Sequence, residues 1–334
     1  MSPAPARPHG GDAPVPAGPH GGDARVVAAH LGVDPGAVLD LSVSVNPFAP
    51  DPAPAVVAQI AGGALRRYPD QLDYTRARAA MAEVLGVDPG RLLLTNGGSE
   101  AIALVATLLR QGRVDPPDFS LYGRHLEALT PGGPRFRSDP HNPTGQLAAE
   151  DERAEVWDEA FYALATGHWT RRPAVPRAAR DEPAIVLGSL TKVLGCPGLR
   201  LGYVVAPEDG GRSLGFADLA DRLAARQPRW SVGTPALGAL PHLLETADVA
   251  RWARSVAEAR RQLCVELRRF GLAPRSSAAS FVLVDRAAGV RDGLARHGVV
   301  VRDCRSFGLP DAVRIAVPDG DGLSRLVDAL ERIR

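Results

Sequence analysis

Residues 91–112 read RLLLTNGGSEAIALVATLLRQG, and no other stretch restricts the architecture as much. An apolar run at 91–95, too short for a helix, meets two consecutive glycines. Apolar residues then recur at 102, 105, 108 and 109, the spacing of one helical face. The pattern predicts a strand over 91–95, a tight NGGS turn and a helix over 99–110, with Gly112 as its C-cap. A strand that feeds directly into a helix is half of a crossover-connected sheet.

The same alternation continues along the chain. Strands are expected at 183–190, 200–207, 280–284, 298–304 and 313–318, and helices at 24–31, 74–86, 120–129 and 214–226. An interrupted helical stretch at 236–270 and a terminal helix at 319–333 complete the reading. The class is α/β, with a mainly parallel central sheet flanked by helices. The 334 residues exceed one compact core. They divide into an irregular tail (1–18), an N-terminal segment (19–45), a large domain (46–229) and a smaller C-terminal α/β domain (230–334). PHGGDA occurs twice, at 8–13 and 19–24, and reads as a local duplication.

Composition removes several function classes. Lys+Arg of 39 against Asp+Glu of 38 leaves a formal charge of +1, which offers no field for nucleic acid or an anionic membrane. Cys196, Cys264 and Cys304 are too scattered for a disulfide framework or a zinc site, so no metal is expected and a reducing compartment is. With no signal-like apolar region and no run of membrane-spanning length, the expected location is the cytoplasm.

Against that background one residue stands out. Lys192 is the only lysine, within GSLTKVLGCPGLRLGY (188–203), at the end of a predicted strand and eight positions before Arg200. Most lysines lie along the surface with the ammonium in water. One desolvated among small and apolar residues has a lowered pKa and an amine available to attack carbonyls. Gly97, Gly98 and Ser99 open a helix whose first N–H groups could hold a phosphate, although a plain strand-to-helix turn has the same composition. The turn matches neither a Walker A loop nor GxGxxG. PHNPTG (140–145) is a turn by composition, and VWDEAFY (156–162) places Asp158 at a strand's carboxyl edge, where α/β enzymes carry functional groups.

Taken in order, NGGS, NPTG, DEAF and SLTKVLGCPGLRLGY resemble the fold-type I pyridoxal-phosphate enzymes of the class I/II aminotransferase family, over roughly residues 20–334. A narrower likeness lies in HGGD (20–23), SVNPFAP, RYPD (67–70), PDFSLYGRHL, RQPRWSV and VRDC. These segments look like the threonine-phosphate decarboxylases of cobalamin biosynthesis, and the related histidinol-phosphate aminotransferases share fewer of them.

The resemblance implies a cofactor, pyridoxal 5'-phosphate, joined to Lys192 as a Schiff base. Asp158 would sit beside the pyridine nitrogen and Asn142 on the ring's 3-oxygen. The backbone of Gly98 and Ser99, the Ser189 hydroxyl and Arg200 would hold the phosphate. Tyr122, or else Phe119, would stack on the ring. Tyr68 would reach the phosphate of a neighbouring subunit, which implies a homodimer with shared active sites. Arg314 would clamp a substrate carboxylate and Arg302 a distal anion, while His20 and Asn46 would line the mouth and 19–45 would pack nearby.

The chain also departs from the family pattern. Gly98 to Asn142 spans 44 positions and Asn142 to Asp158 only 16, both short intervals. The strands expected before PDF, NPTG and DEAF shrink to RV, RFRS and AEVW, so the sheet is expected to have shortened strands or to lack one. Phe161 stands where the family often has tyrosine. The resemblance leaves open amino transfer to a keto acid, decarboxylation of a phosphorylated amino acid, and a silent cofactor-binding protein. A nucleotide-binding α/β protein would rest on the NGGS turn alone.

Overall fold

The computed structural model describes residues 21–171, 183–216 and 218–334; His20, the 1–18 tail and the first PHGGDA copy lie outside the described residues. The chain forms two units. One holds the chain up to Ser44 with Ala259–Ser276 and Phe281–Arg334, the other Val45–Glu258 with Ser277–Ser280. In chain order the strands are β1 (Leu39–Leu41), β2 (Leu92–Asn96), β3 (Gln111–Val114), β4 (Ala128–Leu129), β5 (Arg135–Ser138) and β6 (Val156–Asp158). β7 (Ile185–Ser189), β8 (Leu201–Val205), β9 (Ala273–Pro274), β10 (Phe281–Asp285), β11 (Val299–Asp303) and β12 (Val313–Ala316) follow.

The large unit contains a sheet of order β2-β8-β7-β6-β5-β3-β4. β4, β3, β5, β6 and β7 are parallel neighbours, and β8 runs antiparallel to both β7 and β2. Ala101, Ile102, Leu104, Val105 and Leu108 of the helix Gly97–Leu109 share one buried cluster with Phe136, Val156, Ile185, Leu187 and Val204. Each large apolar side chain removed from water there contributes about 1.5–3 kcal/mol.

Local signals set most boundaries. Gln71–Leu85 is capped by Asp70, whose carboxylate accepts from Asp73 N–H, and it ends at Gly86 with φ 64°. The expected helix at 214–226 is broken by Gly215 (φ 79°) into a 3-10 turn, Arg212–Leu214, and the helix Leu219–Arg226. That at 120–129 is confined to Leu121–His125, and 236–270 forms Thr234–Glu245 and Val249–Arg269. Gly112 is not a helix cap. The helix stops at Leu109 with Arg110 at φ 64°, and Gly112 lies in β3, where a Cβ would sit 2.8 Å from Leu126 and 2.9 Å from the Phe136 ring.

The shortened segments RV, RFRS and AEVW each still supply a strand: β3, β5 and β6, of four, four and three residues. Along β5 only Phe136 enters the core, while Arg135 and Arg137 both reach Glu152 at 2.8 Å and Arg135 also holds Asp115 at 2.6 Å. Ion pairs thus occupy positions where a longer strand would carry apolar cover.

The second unit has a five-stranded sheet, β1-β11-β12-β10-β9, with β1 parallel to β11 and the remaining pairs antiparallel. The N-terminal helix Ala24–Leu31 buries Val27 and Ala28 in a cluster with Val38, Ala295 and Val300. Ser42 Oγ accepts the Gly22 N–H at 2.8 Å, which fastens the end of HGGD beside β1.

Candidate active site

The carboxyl ends of β5, β6 and β7 place the site. Ser138 ends β5, Asp158 pairs with it as the last residue of β6, and β7 ends at Ser189. Directly after β7 the helical turn Leu190–Val193 carries Lys192, whose charge is felt at Asp158. Asn46, buried, braces that turn: its N–H donates to Lys192 O and its Nδ2 to Val193 O, both at 2.9 Å.

Asp158 Oδ2 accepts the Tyr122 hydroxyl at 2.8 Å, and Oδ1 accepts the Ala160 N–H at 3.0 Å. Burial raises the carboxyl pKa, while these two donors and Lys192 favour its ionised form. The Tyr122 ring is wholly buried, with Phe119 edge-on at 5.8 Å and Phe136 at 5.6 Å. Burial first, then the Asp158 charge, hold its phenol well above the usual range. Tyr122 is therefore engaged with Asp158, and the half-buried Phe119 flanks it.

Behind Asn142 lies a polar relay that sequence reading missed. Asn142 N–H donates to Ser138 Oγ at 2.8 Å, and Ser138 Oγ donates to Asp118 Oδ1 at 2.9 Å. Burial pushes the Asp118 carboxyl up to about 7 and the neighbouring His141 imidazole down to about 4. A serine closing a parallel strand was the available signal for this relay.

The start of the helix Gly97–Leu109 forms a second cluster. Gly97 takes φ 74°, and a Cβ there would lie 2.6 Å from Arg200 Nη2. A Cβ on Gly98 would come 3.2 Å from Ser189 Cβ, and one on Gly202 would come 2.5 Å from the Gly97 carbonyl carbon. The helix N-terminus, the end of β7 and the start of β8 thus meet at a distance only glycines allow. Ser189 Oγ and Thr191 Oγ1 are 2.8 Å apart, and Ser99 and Arg200 are exposed. Unpaired first-turn N–H groups, a hydroxyl and a planar guanidinium fork compose a cradle for a phosphate ester.

Tyr68 is 72% exposed and stacks on Trp230 with ring centroids 4.5 Å apart. In the other unit Arg302 and Arg314 face each other in register across β11 and β12, both buried. Arg314 lies over the Phe281 ring at 4.5 Å, and Arg302 donates to Ser306 Oγ at 3.0 Å. Desolvation, then the charge of Arg302, push Arg314 down to about 10. Phe161 is buried. The structure thus joins Lys192, Asp158 and Tyr122 in one cluster and Gly98, Ser189 and Arg200 in a second; Arg302 and Arg314 form a third. The donor set fits pyridoxal phosphate: a phosphate cradle, a strand-end lysine and a buried carboxylate for a ring nitrogen.

Comparison with known proteins agrees with this chemistry. Residues 137–330 match the family model described as aminotransferase class I and II. A histidinol-phosphate aminotransferase of Haloarcula marismortui is 30% identical, covering 91% of this chain and 92% of the relative. Histidinol-phosphate aminotransferase from Sinorhizobium meliloti, solved in complex with pyridoxal-5'-phosphate, has a TM-score of 0.76 at 19% identity, covering 95% of this chain and 94% of that one. L-threonine-O-3-phosphate decarboxylase from Porphyromonas gingivalis has a TM-score of 0.72 at 22% identity, covering 88% and 98%. Among the described residues no helix is long and apolar enough to cross a membrane. The family match, the relative spanning nine-tenths of the chain and the fitted site lead to one conclusion: this chain belongs to the class I and II aminotransferases, enzymes that depend on pyridoxal phosphate.

Proposed function

We propose that the chain transfers the amino group of a phosphorylated amino compound to a keto acid, with Lys192 as the residue that binds the cofactor covalently. Pyridoxal phosphate supplies an aldehyde that takes up the amine and a ring that accepts the electron pair left at the substrate's Cα. Gly98, Ser99, Ser189 and Arg200 hold its phosphate, and Asn142 its 3-oxygen. Asp158, whose carboxylate accepts the Tyr122 hydroxyl and the Ala160 N–H and feels the Lys192 charge against the effect of burial, would face the pyridine nitrogen and favour its protonated form. The Lys192 amine moves the proton at the substrate's Cα. With the Tyr122 hydroxyl engaged by Asp158, Phe119 is the aromatic residue that would be left to pack on the cofactor ring.

The observation that carries the substrate class is the pair of buried guanidiniums in register on β11 and β12. Two guanidinium forks in register, with Asp23 and Asp303 near Arg302, suit a ligand with concentrated negative charge, a phosphate with or without a carboxylate. Histidinol-phosphate aminotransferases at 28–30% identity support amino transfer. The segments HGGD, RYPD, RQPRWSV and VRDC favour a second reading, decarboxylation of threonine phosphate or serine phosphate in cobalamin synthesis. Exposed Val57, Ile60, Leu65, Tyr68, Leu72 and Trp230, all in the large unit, support pairing with a second copy, toward which Tyr68 would extend.

Purified protein given histidinol phosphate or threonine phosphate, with and without a 2-keto acid, separates the readings. Keto-acid-dependent turnover is expected, with KM at least tenfold lower for the phosphorylated than for the dephosphorylated compound. Carbon dioxide release without an acceptor would establish the second reading instead. Equal handling of phosphorylated and unphosphorylated compounds would overturn both.

A further inference from the structure

Glu100 lies one residue beyond the phosphate cradle and has no role in the chemistry above. Its carboxylate collects donors from two segments far apart in sequence. Oε2 accepts the Asn96 N–H at 2.7 Å and Gln227 Nε2 at 3.0 Å, and Oε1 accepts Ser231 Oγ at 2.5 Å. The same segments are tied twice more, by Gln227 Nε2 to Leu94 O and by Asn96 Nδ2 to Ser231 O, both at 2.8 Å. The end of β2, the first helical turn and the 227–231 loop are therefore one hydrogen-bonded block.

That loop carries Trp230, which takes φ 60°, a left-handed conformation that a bulky aromatic residue adopts only where its surroundings impose it. The ring is 54% exposed and stacks on Tyr68. The segment leading into Tyr68 is fixed as well: Arg67 O accepts Thr234 Oγ1 at 3.2 Å, and the Arg67 guanidinium holds Asp70 at 2.7 Å and Asp73 at 2.6 Å. Trp230 thus combines a left-handed backbone, an exposed ring and a stacking contact with a second exposed aromatic side chain.

We infer that Glu100 is a positioning residue that locks the phosphate cradle of a protomer to the Trp230–Tyr68 pair it presents outward, so that cofactor phosphate affinity and the placement of Tyr68 are set together. This rests on the proposal that Gly98, Ser99, Ser189 and Arg200 hold the cofactor's phosphate and that Tyr68 serves a neighbouring protomer. Replacing the carboxylate by an amide leaves size unchanged but cannot satisfy three donors, since only the amide oxygen accepts.

The test compares dissociation constants of pyridoxal phosphate and of pyridoxal, which lacks the phosphate, on the full-length protein depleted of cofactor. For Glu100→Gln the expected result is at least a tenfold weaker pyridoxal phosphate complex and less than a twofold change for pyridoxal. Ser231→Ala is expected to lose a smaller part of the same discrimination, and it serves if Glu100→Gln fails to fold. Trp230→Ala and Tyr68→Phe are expected to weaken pyridoxal phosphate equally, with the double variant no worse than either. Arg200→Gln separates the two levels. If it abolishes the phosphate preference while Glu100→Gln and Ser231→Ala keep it, Glu100 does not position the cradle. If Arg200→Gln keeps the preference too, the phosphate assignment and this inference both fall.

Discussion

At Asp158 two physical effects oppose each other. Burial favours the neutral acid, whereas the Tyr122 hydroxyl, the Ala160 N–H and the Lys192 charge favour the carboxylate that a protonated pyridine nitrogen requires. Tyr122→Phe removes the largest of the three opposing effects, so the Asp158 pKa rises further. On the role proposed for the ionised Asp158, the acid limb of the kcat profile is expected to move to higher pH, with kcat about tenfold lower at neutral pH. A buried acceptor also loses its donor, so stability falls by about 1–3 kcal/mol. Pre-steady-state and pH–rate measurements check the first outcome and denaturant titration the second. An unmoved acid limb would mean that the hydroxyl only packs.

Among the elements, the meeting of the helix Gly97–Leu109 with β7 and β8 depends on two glycines to different degrees. A Cβ on Gly202 would lie 2.5 Å from the Gly97 carbonyl carbon, which is backbone, while one on Gly98 meets Ser189 Cβ at 3.2 Å. Gly202→Ala is therefore expected to cost several kcal/mol or prevent folding, and Gly98→Ala only about 1 kcal/mol. Thermal melts of the two variants make the comparison; equal losses would contradict the close approach. This unit was legible in sequence because apolar spacing switches period at the glycine pair. β5 was legible only through the resemblance, since it holds its place with one core phenylalanine and two arginines paired to Glu152. No apolar period records an ion-paired face. The site follows the same rule: Lys192, Asp158 and Ser189 stand at strand ends that sequence locates. Asp118 and Glu100 work through hydrogen bonds to distant segments, which no local pattern encodes.

In the molecule as a whole, buried acids set a pH dependence. Burial raises Glu159 to about 8 and Asp118 to about 7, above their unfolded values. The folded chain therefore binds more protons than the unfolded chain between those values, and stability falls as pH rises through that window. Denaturant midpoints should decline from about pH 5 to about pH 8 and level off above, and Glu159→Gln should flatten the decline; a midpoint that rises over that range in wild type would contradict the burial of both acids. If the proposed pairing with a second copy uses the exposed apolar stretch around Tyr68, Leu65→Glu and Leu72→Glu, which place charge there, are expected to shift sedimentation toward the monomer and reduce activity at least tenfold. Unchanged sedimentation would remove that stretch from the interface. Everything in the catalytic reading passes through the sole lysine. The decisive measurement is borohydride reduction of the cofactor-loaded protein followed by peptide mass analysis, for wild type and Lys192→Ala. A cofactor adduct on the Lys192 peptide, lost with activity in the variant, is the expected result; a variant that keeps a borohydride-stable adduct or its turnover would contradict it.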